Sequence, residues 1–401
     1  MPAVLKPDVF APPQRLGSLD AFRGLVMIAL ASRGFGIART AQNLPDSELW
    51  QRLGYQFSHV EWVGCAFWDL IQPAFMFMVG VALPFSFASR LAFGYSGWQL
   101  WIQAAFRSLL LVLLGIFLMS QNGDRPTFVF VNVLSQIGLG YLFLFALWNR
   151  PAWLQLLVGH IILVAFWAWF AFTPIPDLDL TTVGVPADWP HLLSGFEAHW
   201  QKNANPAAAF DRWFLNLFSR ETPFEFNEGG YTTLNFVPSL VTMIFGLMTG
   251  EAIRNANSKG NVVGGLILCA LLGLASGWAL DYFGVCPLVK RIWTPSWTLY
   301  STGWCWLILA GFYLIIDVVG FDAWAFPLKV AGMNSMVLYL LGQLLPGWMQ
   351  DTLTRFFGTG LFTFYRADWA AYEPLIRCNL VLLCFWLFVF WLYRQKIFVR
   401  I

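Results

Sequence analysis

Apolar stretches close to the length that crosses a bilayer recur along the whole chain, and no other feature limits its fold as much. A spanning helix needs roughly 20 predominantly apolar residues. Candidate spans lie at about 17–36, 66–88, 99–119, 129–148, 153–173, 233–252, 261–283, 297–318, 326–346 and 376–393. In hydrocarbon every backbone N–H and C=O must find a partner within the protein, which helices achieve alone. The expected fold is therefore all-α: a polytopic integral membrane protein of about ten transmembrane helices, forming one domain over 1–401. Charged residues make up 11% of the chain, well below the roughly 25% of soluble domains. A net charge of +2 with no Lys/Arg run gives no footprint for nucleic acid. The partner implied is the lipid bilayer, and 22 Trp and 39 Phe suit interfacial belts and a lipid-facing surface.

Basic residues orient the spans. If the spans alternate, Lys6/Arg15, Arg90, Arg150, Arg254/Lys259, Lys329 and Arg394/Lys396/Arg400 share one side, expected to be cytoplasmic with both termini. Arg39, Arg52, Arg125, Lys290 and Arg291 fall opposite. The start, "MPAVLKPDVFAPPQRLGSLD", is broken by proline and carries acids, so it does not read as a cleavable signal. No Asn-x-Ser/Thr sequon occurs, which favours a bacterial inner membrane facing a periplasm over a glycosylating lumen. The six cysteines form no CxxC and read as small buried hydrophobes. Between the fifth and sixth spans, 174–232 forms a long extracytoplasmic insertion. Within it "NPAAAFDRWFLNLF" reads as an amphipathic interfacial helix with Phe210, Trp213, Phe214 and Leu217 on one face.

Ionisable residues inside a span cost a few kcal/mol on insertion scales, so each is a functional candidate. Asp20 and Arg23 share a helix face at i, i+3. Arg107 lies in the third span, near the inner leaflet, where it can snorkel or meet an anion. Asp69 follows His59 by ten residues, roughly 15 Å along a straight helix. Only a helix beginning after His59 lets that histidine fold back towards Asp69, which otherwise contacts substrate or pairs with a neighbouring cation. Glu61 and Trp62 sit beside His59 at the outer interface. His160 is mid-span, where a lone histidine usually serves as an interhelical donor. "VCPLVKRIWTPSW" sets Lys290, Arg291 and Trp293 at an outer face, suited to a polar or anionic ligand or to headgroups. Pro295 there suits the first turn of a helix. Asn334 and Ser335 sit within a span, as helix glue or as a channel lining. Small polar faces of this kind also allow a homodimer. No HExxH, no paired CxxC and no phosphate loop is present, so no metal is expected.

"RLGSLDAFRGLVMI" (15–28) and "HVEWVGCAFWDLIQPAFMFMVG" (59–80) are the most specific blocks of the chain. With "YTTLNFVPSLVTMIFGLMTGE" (231–251), "KRIWTPSW" (290–297) and "GMNSMVLYLL" (332–341), they resemble the heparan-α-glucosaminide N-acetyltransferase family, part of a wider transmembrane acyltransferase group. The resemblance implies a multi-pass enzyme that moves an acetyl group from cytoplasmic acetyl-CoA to an amino sugar across the membrane. It puts the catalytic histidine at His59, ahead of Trp62, Gly64, Asp69 and Leu70. Where the animal enzymes carry an asparagine in the first span, this chain has Ala31.

The chemistry agrees with the residues. Acetyl transfer needs a base near neutral pH, and histidine has that pKa. His59 can act as a general base or carry the acetyl group itself. Arg107 and Arg23 are candidates for the CoA phosphates. Trp62, Lys290, Arg291, Trp293, Asn334 and Ser335 are candidates for a sugar or glycan acceptor. Two other readings suit the same intramembrane charges: a transporter or flippase for a sugar or lipid-linked precursor, and a non-catalytic partner that keeps the fold.

Overall fold

The computed structural model describes residues 16–121 and 123–399. Lys6, Arg15 and Arg400 of the orientation argument, and the start of the chain, lie outside the described residues. The helices in order are α1 (Gly17–Ala31), α2 (Ile37–Asn43), α3 (Glu48–Gln56), α4 (Ile71–Ala92), α5 (Gly97–Met119), α6 (Val133–Leu147) and α7 (Ala152–Phe172). They continue with α8 (Pro206–Phe214), α9 (Phe236–Asn255), α10 (Lys259–Tyr282), α11 (Pro295–Phe312), α12 (Phe326–Met333), α13 (Ser335–Leu344), α14 (Pro346–Phe357) and α15 (Glu373–Arg394). The chain is an all-α polytopic membrane protein.

All ten expected stretches are helical, and they differ in length. Among the described residues seven helices are long and apolar enough to cross a membrane, or nine if two bent pairs each count as one span. The tenth expected span is α6, whose 15 residues reach only about 22 Å at the usual rise, short of a hydrocarbon core of about 30 Å. One bent pair turns by 54° after α1. There Arg33 and Phe35 take left-handed backbone conformations with Gly34 and Gly36. The Ser32 hydroxyl accepts from the Phe35 N–H, satisfying the broken end. The other turns by 70° between α12 and α13. Its break residue, Asn334, donates to the Ile397 carbonyl and accepts from the Val399 N–H.

Local chemistry starts the helices cleanly. The Ser96 side chain accepts from the Gln99 N–H at the head of α5, and Asn132 does the same for Ser135 at the head of α6. Thr294 caps α11, with Pro295 in the first turn as the sequence implies. The bundle centre is α4 against α9, which touch backbone to backbone. A Cβ at Gly80 would lie 2.1 Å from the Met243 carbonyl oxygen, and one at Gly246 2.1 Å from that of Phe77. Such small-residue contacts replace hydrophobic drive between helices in lipid. Leu109, Leu113 and Phe117 of α5 and Leu268, Leu271 and Leu272 of α10 stay exposed, as a lipid-facing surface requires.

His160 is not an interhelical donor. It is exposed, and its Nδ1 bonds to the Leu156 carbonyl of its own helix. In the insertion, α8 forms within the expected stretch. Its buried side is Ala207, Ala208 and Asp211, while Trp213 and Leu217 are exposed.

Candidate active site

The second apolar run does not start as an α-helix at His59. Residues 57–66 form a loop, a short 3-10 turn follows at Phe67–Leu70, and α4 begins at Ile71. His59 is therefore free to fold back, and its Nδ1 lies 2.7 Å from Asp69 Oδ1. Asp69 Oδ2 accepts the N–H groups of Val60 and Ala66, both at 3.2 Å. A carboxylate at a helix start is favoured by the exposed N–H groups there. Asp69 thus fixes its own loop at two points and the histidine ring at a third.

A second loop supplies the countercharge. Val63 pairs with Val289 in an antiparallel bridge, and the Gly64 N–H donates to the Leu288 carbonyl at 2.9 Å. This join sets Lys290 Nζ 3.2 Å from Asp69 Oδ1 and 3.0 Å from His59 Nδ1. The side chains of Asp69 and Lys290 are 1% and 7% exposed, whereas that of His59 is 41% exposed. The ion pair is buried, and the ring beside it is reachable.

Burial holds the His59 imidazole below the usual histidine pKa; the Asp69 hydrogen bond opposes this and the Lys290 charge adds to it. Burial also brings the Lys290 ammonium down to about 8, against the pull of Asp69. If Nδ1–H donates to Asp69, the neutral ring carries its lone pair on Nε2; Lys290 Nζ, 3.0 Å from the same nitrogen, is the competing donor. Cys65, next to the site, is no rival nucleophile, because burial pushes its thiol up to about 12.

His59 and Lys290 line a cavity of about 270 Å³. Trp68, Gln72, Asn132, Tyr231 and Gln343 add polar or amphipathic groups, and Leu30, Ile71, Phe75 and Val133 an apolar wall. Gln72, Asn132, Tyr231 and Gln343 are not among the candidates of the sequence. Trp68, Gln72 and Phe75 recur at helical spacing, so a polar Gln72 on the face of an intramembrane tryptophan was a usable signal.

Of the expected site residues, His59, Asp69 and Lys290 come together, and the others stand elsewhere. Trp62 is 1% exposed and donates from Nε1 to the Trp200 carbonyl, clamping the His59 loop to the insertion. Arg291 donates to the carbonyls of Val60 and Gly229 and lies over the Tyr231 ring, so it braces the loops around the cavity. Trp293, expected at a rim, is buried instead. Asn334 and Ser335 belong to the helix break and do not line the cavity. Arg23 reaches Asp20 and the Gly332 carbonyl, away from the cavity. Arg107 is ten residues into α5, about 15 Å from its start by rise per residue, and so near mid-span rather than at an interface. Its guanidinium donates to the Tyr141 hydroxyl and lies 4.8 Å from that ring's centroid. Ala31 is buried where α1 meets α13, and a Cβ at Gly342 would lie 2.8 Å from the Ala31 Cα.

No family model matches the chain. Its sequence is 24% identical over 440 residues to the Homo sapiens protein named heparan-alpha-glucosaminide N-acetyltransferase, covering 97% of this chain and 60% of that protein. The Mus musculus protein of the same name is 23% identical over 442 residues, covering 96% of this chain and 60% of its own. The relationship is distant, and the chain spans about 60% of the length of these curated relatives.

Proposed function

We propose that the chain is a membrane-embedded acyltransferase that moves an acetyl group from acetyl-CoA to a sugar or amino sugar. The observation that carries this is the His59–Asp69 hydrogen bond of 2.7 Å beside a cavity. A histidine whose Nδ1–H is held by a buried carboxylate keeps its Nε2 lone pair aimed and neutral, the arrangement used to take a proton from an attacking amine or hydroxyl. The same lone pair suits a nucleophile that accepts the acetyl group first. Initial-rate kinetics separate the two, as parallel double-reciprocal lines mark a carried acetyl group and converging lines a base. The distant likeness to proteins named as N-acetyltransferases supports the reaction class.

Acetyl-CoA supplies an activated thioester. A cavity of about 270 Å³ suits the acyl end and part of its arm, or one sugar ring, and is too small for the nucleotide as well. The side-chain amides of Gln72 and Gln343 are available to amide groups of that arm, and the apolar wall to its methylenes. In this reading the donor comes from the end of the bundle opposite His59. That end carries Arg90, Arg150, Arg254, Lys259, Lys329 and Arg394 and is cytoplasmic, with both termini, in a bacterial inner membrane.

The test is transfer of labelled acetyl from acetyl-CoA to a panel of amino sugars and neutral sugars by the protein in liposomes. Transfer by the wild type that vanishes in a folded His59→Ala variant supports the reading. No transfer and no acetyl-CoA binding by the wild type refutes it.

One observation favours a transporter instead. Both bent helix pairs reach the cavity, through Leu30 and through Tyr339 and Gln343, and broken helices around a central site are a transporter trait. Uptake of a labelled sugar into proteoliposomes without acetyl-CoA would favour that reading.

A further inference from the structure

Lys290 is the group at this site whose position the acyl-transfer reading does not yet use. Its ammonium is buried, lines the cavity, and forms a triangle with Asp69 Oδ1 and His59 Nδ1 whose sides are 2.7, 3.0 and 3.2 Å. The three cannot all be hydrogen bonds at once. An ammonium has only donors. When Nδ1–H donates to Asp69, Lys290 stands beside Nδ1 as a charge without a bond to it. When His59 becomes an imidazolium, both nitrogens carry hydrogen, and a second cation lies 3.0 Å away.

Asp69 and Lys290 therefore act on the ring in opposite directions. Asp69 favours the imidazolium and Lys290 penalises it. The other groups near the ring are few: Arg291 adds to the penalty, and Tyr231 and the Cys65 thiol face the cluster as neutral groups. Glu61 lies two residues on, but it turns to Trp189 and His191.

We propose that Lys290 is a positioning residue that sets the proton affinity of His59. Its charge adds to burial in keeping the imidazole neutral in the resting site and makes it release a proton readily after taking one from the acceptor. In each turnover the proton passes from the acceptor's N–H or O–H to Nε2 and on to the departing thiolate or to water. No oxidation state changes. The role in turnover rests on the acyl-transfer reading, but the effect on the ring does not.

The test is a histidine titration of the full chain in nanodiscs, followed by nitrogen NMR after labelling with [15N]histidine. The chain has four histidines, and His59→Gln assigns the signal. In the wild type the His59 midpoint is expected below the ordinary histidine value. In Lys290→Met it is expected to rise by about one pH unit or more, the usual effect of removing a close like charge, and in Lys290→Arg to stay low. Lys290→Gln serves the same purpose as Lys290→Met if the methionine variant does not fold. A midpoint that stays at the wild-type position in folded Lys290→Met or Lys290→Gln overturns the proposal, even if the KM for a substrate rises, because that would mark Lys290 as a substrate contact. A shifted midpoint in a protein with no transferase activity would sink the acyl-transfer reading and leave this one standing.

Discussion

Asp69 stands ten residues after His59 in the chain, and its Oδ1 lies 2.7 Å from that residue's Nδ1. The contact exists because the intervening residues are a loop, and because two backbone N–H groups from that loop hold the other carboxylate oxygen. Asp69→Asn keeps an acceptor for the ring but removes the charge that stabilises an imidazolium. Acetyl transfer is expected to fall by about 100-fold or more, the range for loss of acid–base assistance. The check is the rate per folded protein, with His59→Ala as the background.

The pH dependence follows from the depressed pKa of His59. Transfer should be flat through pH 7 and fall only as pH drops through the folded value, below the ordinary histidine pKa. The stability effect has a definite sign. In that acid window the unfolded chain binds a proton that the folded site refuses, so stability falls as pH falls below the unfolded value. Thermal unfolding recorded at pH 5 and pH 7 checks this.

Arg107 is held by Tyr141 near the middle of α5 and does not line the cavity. Arg107→Gln is expected to leave the KM for acetyl-CoA within a few-fold of wild type and to lower the unfolding temperature. A KM raised by tenfold or more would return Arg107 to the donor site.

Gly246→Ala should be costly for one methyl group. The added carbon would fall 2.1 Å from the Phe77 carbonyl oxygen, so α4 and α9 must part. A loss of about 1–3 kcal/mol is the usual scale for overpacking, read as a lower midpoint of unfolding in detergent.

Trp62 is buried among residues of three chain segments and bonds to the Trp200 carbonyl. Trp62→Ala should cost about 3–5 kcal/mol, and Trp62→Phe much less. Protease sensitivity of the insertion at 174–232 checks whether the clamp has opened.

Helix positions were legible in the sequence because lipid demands long apolar runs, and nine of those runs became a long helix or a bent pair. The breaks were less legible. Asn334 was visible as a polar residue in a span, but its partners, Ile397 and Val399, lie more than 60 positions away. His59 and Asp69 stood out because charge is rare in such a chain. The role of Lys290 did not, since its position depends on a single bridge between Val63 and Val289 that no local pattern announces. Trp62 and Trp293 misled for the opposite reason. Tryptophan beside a membrane interface usually stays at the rim, and here the insertion covers Trp62 while Trp293 is packed into the core.

The distance along the chain between Asp69 and Lys290, 221 residues, also has a meaning in time. At about 5–20 residues per second, a ribosome makes Asp69 roughly 10–40 s before it makes the cation that neutralises it. Through that interval the carboxylate has only its near neighbours, the His59 ring and the N–H groups of Val60 and Ala66, ten, nine and three residues away. Those local partners let a nascent membrane protein carry an acidic residue into its first helices and wait for the far half of the chain to arrive.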